Sequence, residues 1–345
     1  MNRLSMFWLK TVMLPHQVST LPQQRATAQT NIMRKFFFLA FFPLIIWADA
    51  HIFVYHRFGD SEHISTNTSL KVLRDEFDFL NNNGYKVIPL QRLYKALQDG
   101  EPIDKKWIVL TIDDSYKSFY ENALGIFKEY GFAFTLFVYV EASDRGYRDF
   151  MNWDQIREAG KYGEIGLHGY AHHHMVSLDT DAIKKDTEKA AASYKKELGS
   201  DPKYYAYPYG EYNRKVRRAI ETFGFDLILN QNSGAVDGQS DRHDLDRTAL
   251  TGDNTIEHKL RIRTLPTTWI EPKNWPKDGK LKTIHATIPP NIKNLEYFVS
   301  GYGWHRINAK NGEVKELLNL PLKLGRTRIF LKTGSRQSSI ILVKE

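Results

Sequence analysis

Short apolar runs alternate with longer amphipathic segments through the middle of the chain. The apolar runs predict buried strands at residues 52–55, 86–88, 107–112, 134–140, 164–167 and 227–229. Helical periodicity predicts helices at residues 69–82, 90–98, 117–130, 153–161, 180–198 and 214–223. Glycines stand where caps are expected at the ends of four helices: Gly84, Gly131, Gly199 and Gly224. These repeated strand–helix units predict a parallel α/β sheet or barrel.

The pattern changes after about residue 260. Gly, Pro and Asn turns there separate short β-prone pieces at residues 282–285, 297–300, 327–331 and 340–343. We therefore predict an α/β domain at residues 51–258 and a small β-rich C-terminal domain at residues 259–345. Aromatic side chains of the second domain could contact a polymer, although aromatic residues of a β domain more often form core. These are Tyr297, Phe298, Tyr302 and Trp304.

Residues 33–50 have the three parts of a secretory signal peptide. A basic start precedes a short apolar run, and Ala48-Asp49-Ala50 matches a cleavage site. Cleavage would make His51 the first mature residue, and an uncleaved membrane anchor is the alternative. Residues 1–32 do not fit this plan, and we interpret them as an upstream extension before a start at Met33. The sequence thus predicts export to the periplasm or the extracellular space.

Charge and composition narrow the possible classes of function. The formal net charge is +8, but removal of residues 1–50 leaves 43 basic and 39 acidic residues. This small excess gives no argument for nucleic acid and is typical of a mixed, solvated surface, with an anionic polymer as the alternative. The chain has no cysteine, which excludes disulfides, thiol catalysis and thiolate metal sites.

Two adjacent carboxylates, Asp113 and Asp114, directly follow the predicted strand 107–112. Adjacent carboxylates repel unless a metal ion or a shared proton offsets their charge. Successive strand residues also point to opposite faces, so a tight turn must bring both into one site. The natural division is one metal ligand and one general base, although most such pairs lie in solvated turns.

Four histidines in seven residues follow the predicted strand 164–167. His168 and His172 are four residues apart, and on a helical turn that spacing puts both imidazoles on one face. Two imidazoles and one carboxylate leave coordination positions open for water and substrate, as a hydrolytic metal site requires. This cluster favours metal binding over a structural role.

A third segment, Tyr205-Ala206-Tyr207-Pro208-Tyr209-Gly210, also follows a short strand. Proline fixes the backbone, and the tyrosines could provide aromatic walls for a sugar ring. Taken alone, the segment is more typical of a structured loop.

Together the three segments resemble the polysaccharide deacetylase family, also called the NodB-homology family or carbohydrate esterase family 4. The family's motifs are Thr-Phe-Asp-Asp-Gly, His-(Ser/Thr)-x-x-His and Arg-x-Pro-Tyr, and the resemblance covers roughly residues 52–255. It implies a distorted (β/α) barrel of about seven strands with a zinc-type site. The third segment is similar to a branch that includes exported poly-N-acetylglucosamine deacetylases.

The resemblance also implies roles for single residues. Asp113 matches the family's catalytic base and Asp114 its metal-binding carboxylate. His168 and His172 match the metal-binding histidines. Tyr209 matches the tyrosine whose backbone N–H helps to hold the oxyanion.

The chain departs from the family pattern at several positions. Ile112 and Ser115 replace the usual Phe and Gly, and Gly169 replaces a Ser or Thr. Ala206 stands where the third motif has the arginine that usually orients the base. Arg247, on a later strand-like segment, could substitute for it from across the barrel.

The fourth and fifth motifs, which would supply an Asp–His pair for the general acid, have no clear match. His243 and His56 are the candidates for that role. His173 and His174 are interpreted as residues behind the ligands or at the surface rather than as ligands. Four residues are assigned to substrate binding: His56, Tyr207, Pro208 and Arg247.

The sequence therefore predicts a metal-dependent hydrolase that removes N-acetyl groups from an acetylated amino-sugar polysaccharide of a cell wall or exopolysaccharide. Zinc is the expected ion, with cobalt or nickel as alternatives. The second hypothesis is a catalytically impaired carbohydrate-binding or assembly protein. A metal phosphoesterase is disfavoured because no second set of metal-binding carboxylates is evident. The expected partner is the polysaccharide, with no nucleic acid and no stable membrane span after signal cleavage.

Overall fold

A computed structural model describes residues 49–252 and 256–344 of the chain. Its first ten strands are β1 (His51–Tyr55), β2 (Arg57–Phe58), β3 (Asn67–Thr68), β4 (Lys86–Val87), β5 (Trp107–Ile112), β6 (Thr135–Val138), β7 (Glu164–Leu167), β8 (Tyr204–Ala206), β9 (Leu227–Leu229) and β10 (Thr248–Ala249). Its helices are α1 (Leu70–Asn82), α2 (Leu90–Asp99), α3 (Leu124–Tyr130), α4 (Val140–Asp144), α5 (Trp153–Ala159), α6 (Thr180–Leu198), α7 (Arg214–Glu221) and α8 (Ile256–Lys259).

Parallel strands in the order β10-β1-β5-β6-β7-β8-β9 form a curled sheet, and β4 pairs with β5. The strands are buried on both faces because helices surround the sheet, which explains why they are continuous apolar runs in the sequence. The predicted distorted (β/α) barrel of about seven strands is confirmed. Since the strands are parallel, their carboxyl ends and the loops that follow meet on one side of the barrel.

The predicted helix at residues 117–130 differs from the observed backbone. A π-helical turn, Phe119–Ala123, precedes α3. Two side chains tie this region to β2: Ser118 Oγ accepts a hydrogen bond from the Phe58 N–H, and Asn122 Nδ2 donates to the Phe58 carbonyl. The start of this helical segment is therefore tied to β2 as well as to its own backbone hydrogen bonds.

The C-terminal strands are β11 (Arg263–Thr264), β12 (Thr268–Glu271), β13 (Lys280–Thr287), β14 (Asn294–Val299), β15 (Gly303–Asn308), β16 (Glu313–Pro321), β17 (Arg326–Thr333) and β18 (Arg336–Val343). They form one sheet in the order β11-β18-β17-β14-β15 and another in the order β12-β13-β16. Both sheets contribute to a hydrophobic core of their own. The predicted division at residue 258 falls inside α8, and the C-terminal strands begin at Arg263.

Most of the predicted signal segment lies outside the described residues, as does the predicted extension at residues 1–32. Of the segment's last residues, Ala50 is described and exchanges two backbone hydrogen bonds with Val236, of 2.8 and 2.9 Å. Among the described residues, no helix combines the length and apolar character needed to cross a membrane.

Glu76 on α1 is 4% exposed, and burial raises its pKa from an ordinary 4.5 to about 7. The folded state therefore binds a proton more tightly than the unfolded state, so its stability falls as pH rises from about 4.5 to about 7. Glu76→Gln keeps an acceptor for the Tyr55 hydroxyl, whose oxygen lies 2.7 Å from Glu76 Oε2. We expect a gain in unfolding free energy of about 3 kcal/mol at about pH 8 that declines towards zero at about pH 4.

Urea unfolding of both proteins across this pH range measures the difference. Glu188→Gln, at an exposed position of α6, is the matched control and should show no such trend. An equal gain at both pH values would contradict the assignment to Glu76 ionisation.

Candidate active site

Asp113 and Asp114 follow β5 at the carboxyl end of the barrel. The Asp113 N–H donates to the Tyr55 carbonyl, which continues the sheet ladder by one residue. Asp114 and Ser115 then take left-handed conformations with φ of 69° and 56°. Such conformations are costly for non-glycine residues and are often found at functional sites. The resulting turn places both carboxylates beside His168 instead of on opposite faces of the strand.

The histidine loop after β7 is not the helical turn that the spacing suggested. Gly169 and His172 have φ of 75° and 52°, and the loop folds back so that the rings of His168 and His172 lie 5.0 Å apart. Asp186 on α6 holds the loop, because its carboxylate accepts hydrogen bonds from the N–H groups of Tyr170 and Ala171 at 2.8 and 3.0 Å. The sequence offered no signal for Asp186, one of many charged residues on that helix.

Asp114, His168 and His172 form a group that suits a divalent metal ion. Asp114 Oδ1 lies 3.4 Å from His168 Nε2 and 2.9 Å from His172 Nε2. Asp114 Oδ1 and His172 Nε2 nevertheless lack hydrogen-bond alignment with any described residue. The Ala206 carbonyl lies 2.8 Å from His168 Nδ1, which places the proton there and leaves Nε2 free as a ligand. Two imidazole nitrogens and one carboxylate are a donor set that zinc accepts.

Asp113 is fully buried and has a different partner. Arg247 donates to it through both terminal nitrogens, with distances of 2.7 Å to Oδ1 and 2.8 Å to Oδ2. The Arg247 Nε donates to the Asn230 carbonyl, and the guanidinium is itself fully buried. Burial alone would raise the pKa of Asp113, but Arg247 and His168 outweigh it and hold that pKa below its usual range.

This pairing gives the fully buried Arg247 a partner in Asp113. No contact among the described residues supports the assignment of Arg247 to substrate binding, which stays a prediction. Arg247 instead contacts the Asp113 carboxylate. The arginine of the third motif, which is Ala206 in this chain, would be expected to orient that carboxylate. Gln231 Nε2 adds a weaker contact of 3.3 Å to Asp113 Oδ2, and no sequence pattern indicated this residue.

The third segment contains one exposed tyrosine. Tyr207 is fully buried and stacks on Tyr212 with ring centres 4.8 Å apart, which favours a packing role, and its assignment to substrate binding stays a prediction. Pro208 is also buried and begins a single 3₁₀ turn, Pro208–Gly210, which leaves it a structural role. Tyr209 is 38% exposed with φ of 58°, and its ring centre lies 4.4 Å from that of His172.

Much of this site lies in a part of the chain that is similar to known proteins. The family model for polysaccharide deacetylases matches residues 100–228, a range that includes both aspartates, both candidate ligand histidines and Tyr209. The chain contains a polysaccharide deacetylase domain. His56 and Arg247 lie outside the matched range of this domain but belong to the same site.

The deacetylase domain is similar to several known proteins. It is 25% identical over 224 residues to the poly-beta-1,6-N-acetyl-D-glucosamine N-deacetylase of Escherichia coli K12, which covers 51% of this chain. The match spans only 32% of that longer protein. Two solved structures share the fold: the Streptococcus pyogenes deacetylase PplD, with a TM-score of 0.57, and IcaB from Ammonifex degensii, with 0.55. They are 21% and 24% identical and cover 61% and 60% of this chain, and 96% and 93% of their own.

Three further histidines, His56, His174 and His243, were considered in the sequence, and the structure gives each a different surrounding. His56 borders the groove beside the site, and its Nδ1 has no hydrogen-bond partner among the described residues. Burial lowers the pKa of His56, which disfavours the protonated ring. His174 stacks on Tyr209 at 4.0 Å, which fits the supporting role expected of it. His243 lies in the turn that begins at Asp241, whose carboxylate accepts a hydrogen bond from the His243 N–H.

Part of the groove wall comes from the C-terminal sheet. The groove is a cavity of about 580 Å³ lined by His56, His174, Ser177, Tyr209, Glu211 and Gln231 from the deacetylase domain, and by Gly325, Arg326, Val343 and Lys344. Arg326 donates to the Tyr209 carbonyl at 2.8 Å and lies 3.2 Å from the buried Glu211 carboxylate. Arg328 donates to the Gln231 carbonyl at 2.8 Å.

Arg326→Ala should lower the unfolding free energy by about 1–2 kcal/mol, because Glu211 loses a guanidinium partner and the Tyr209 carbonyl loses a donor. The loss is moderate because His174 still pairs with Glu211 at 2.7 Å and the Arg326 side chain is 38% exposed. Thermal unfolding measures the effect, with the exposed Arg148→Ala as control. Equal melting temperatures for both variants would show that the contacts of Arg326 with Tyr209 and Glu211 contribute little to stability.

Proposed function

We propose that the chain is an exported, metal-dependent hydrolase that removes N-acetyl groups from an acetylated amino-sugar polysaccharide. The observation that carries this proposal is the pairing of a buried carboxylate, Asp113, with Arg247 directly beside the group Asp114, His168 and His172. A protein that merely binds sugar needs no buried base next to a ligand set. The relatives agree with this proposal, since one is an N-deacetylase and PplD was solved in complex with acetate.

The residues divide into two roles. Asp114, His168 and His172 would hold the ion, and zinc, cobalt and nickel all accept this donor set. A divalent ion in that position supplies Lewis-acid polarisation of an acyl oxygen and makes a nucleophile available from water at neutral pH. Asp113 stays outside the ligand set because Arg247 engages both of its oxygens.

A residue of the chain can both accept and return the proton that moves during hydrolysis. Hydrolysis adds water across the C–N bond of the acetamide and releases acetate and an amine. Asp113 accepts the proton that the attacking water loses, and the same carboxyl then passes that proton to the departing nitrogen. We assign the Tyr209 backbone N–H as a donor to the oxygen that gains negative charge. His56, which lines the groove, would bind a polar group of the substrate.

The alternative of an impaired binding protein drew on the absence of arginine at position 206. The contact between Arg247 and Asp113 removes that reason, because the base has a guanidinium partner from another strand. The other reason, the missing Asp–His pair, loses weight if Asp113 serves as both base and acid.

Acetate release from soluble N-acetylglucosamine polymer and from peptidoglycan tests the proposal. O-acetylated xylan and model phosphate esters provide the comparison substrates. We expect acetate from an N-acetylated polymer, little from xylan and no phosphate release. A folded protein that sediments with the polymer but releases no acetate from it would instead support the binding protein.

A further inference from the structure

Strand β17 presents two different faces. Ile329 and Leu331 point into the C-terminal core, whereas Arg326, Arg328 and Phe330 alternate with them and point to the other side. The two arginines end at carbonyl groups of Tyr209 and Gln231 beside the candidate active site. This outer face of the sheet is therefore continuous with the groove wall.

Three aromatic side chains form a cluster farther along the same face. Phe298 on β14 lies opposite both Phe330 on β17 and Trp304 on β15. The ring centres are 5.7 Å apart for Phe298 and Phe330, 5.3 Å for Phe298 and Trp304, and 6.0 Å for Trp304 and Phe330. The neighbouring Tyr297 points to the core instead, so the cluster is not part of that core.

Trp304 is the exposed end of this cluster, with 47% of its surface accessible. Lys332 Nζ lies 5.5 Å from the centre of its ring, and Glu296 and Arg306 occupy the adjacent pair of positions on the same face. An isolated indole with a charged rim has too little apolar area for a protein interface. It does suit a sugar ring, whose C–H face stacks on the indole while its hydroxyl and acetamide groups meet the polar rim.

The spacing connects the cluster to the groove. Phe330 is four residues beyond Arg326, about 13 Å along the strand, and Trp304 is two strands across, about 10 Å. Trp304 thus lies about 16 Å along the face from the arginine that contacts Tyr209. A disaccharide held at the groove is too short to cover that separation, but a polymer can.

We propose that Trp304, supported by Phe298 and Phe330, is a binding subsite for distant sugar units of the polysaccharide whose acetyl groups are removed at Asp113. The identity of the ligand at this subsite rests on the proposed function. The C-terminal sheet then has a role in substrate binding: its arginines border the groove, and its indole holds the chain that leads out of it.

Binding and turnover can be tested separately. Sedimentation of the purified protein with insoluble N-acetylglucosamine polymer gives the affinity without any need for catalysis. Trp304→Ala should bind about five- to tenfold more weakly, which is the range for loss of one aromatic stacking contact. Trp304→Phe should recover part of that loss. Tyr162→Ala removes a similarly exposed aromatic ring (43%) from the barrel surface and should bind as the unaltered protein does.

Acetate release provides the second measurement. The ratio of kcat/KM for the polymer to kcat/KM for the N,N′-diacetylated disaccharide should fall by about the same factor in Trp304→Ala and remain constant in Tyr162→Ala. Equal polymer binding by Trp304→Ala and the unaltered protein, at equal melting temperature, overturns the subsite. Absence of acetate from every substrate refutes the proposed function instead, while the sedimentation result still decides whether Trp304 binds the polymer.

Discussion

Asp113→Asn should lower the rate of acetate release by about a thousandfold while the protein still binds zinc. Asparagine matches the carboxylate in size but cannot take a proton, and loss of a general base typically costs 10²–10⁴ in rate. Asp114, His168 and His172 are unchanged in this variant, so the proposed ligand set stays complete. Acetate release under single-turnover conditions and zinc titration by calorimetry give the two readings.

The stability of Asp113→Asn must be measured as a control, because the variant removes the carboxylate that pairs with the charge of Arg247. Its guanidinium is fully buried, and Asp113→Asn leaves it with neutral partners only in that pocket. The variant should therefore melt at a lower temperature, and the rates must be compared well below that transition. A variant that is folded, binds zinc and retains more than a tenth of the activity would exclude Asp113 as the base.

Arg247→Met should lower the rate by about a hundredfold, and it should also lower the stability of the fold. The side chain makes two hydrogen bonds to Asp113 and one to the Asn230 carbonyl, so its loss frees the base to rotate away from its working position. A misplacement of about 1 Å can cost on the order of 10² in rate. Removal of one partner from a buried ion pair costs about 3–5 kcal/mol of stability, which urea unfolding can measure.

A double-mutant cycle separates these two effects. Asp113→Asn combined with Arg247→Met removes both charges, so the double variant should be more stable than the sum of the single losses predicts. Its activity should be no lower than that of Asp113→Asn. Arg247→Lys retains the charge without the paired donors, and it should fall between arginine and methionine in rate. Full activity in Arg247→Met would refute the positioning role.

The barrel could be predicted because its strands are buried on both faces. Apolar runs such as Trp107–Ile112 and Glu164–Leu167 have the same bounds in the structure as in the prediction. The chemistry-bearing segments follow those strands directly, so parallel pairing alone brings them to one end of the barrel. The short strands that carry less sequence signal, such as β11 and β12, were missed.

Side-chain direction within the loops could not be predicted in the same way. The Tyr-Pro-Tyr pattern shows two tyrosines, but it does not tell which ring packs on Tyr212 and which lies at the groove. The spacing of His168 and His172 correctly predicted that the two rings lie close together, but the expected helical turn is absent from this loop. Residues with left-handed backbone conformations bring the rings together instead. Backbone conformations of that kind are set by the surrounding loop contacts, including those of Asp186.

Contacts across long sequence separations were the hardest to predict. Arg247 could be suggested because Ala206 occupies the position of the arginine that usually orients the base. Arg326 and Arg328 had no such signal, and they reach the groove because β17 is aligned with the barrel loops. The alternation of these arginines with apolar residues marks a two-faced strand, but the sequence cannot tell what the polar face meets.

Metal dependence of acetate release is the most direct test of the central claim. The purified protein should be assayed on N-acetylglucosamine polymer as isolated, after removal of metal by a chelator, and after zinc is restored, with metal content measured in each sample. The account predicts that activity disappears with the metal and returns in proportion to the zinc bound. Undiminished acetate release by protein shown to be free of metal would contradict it.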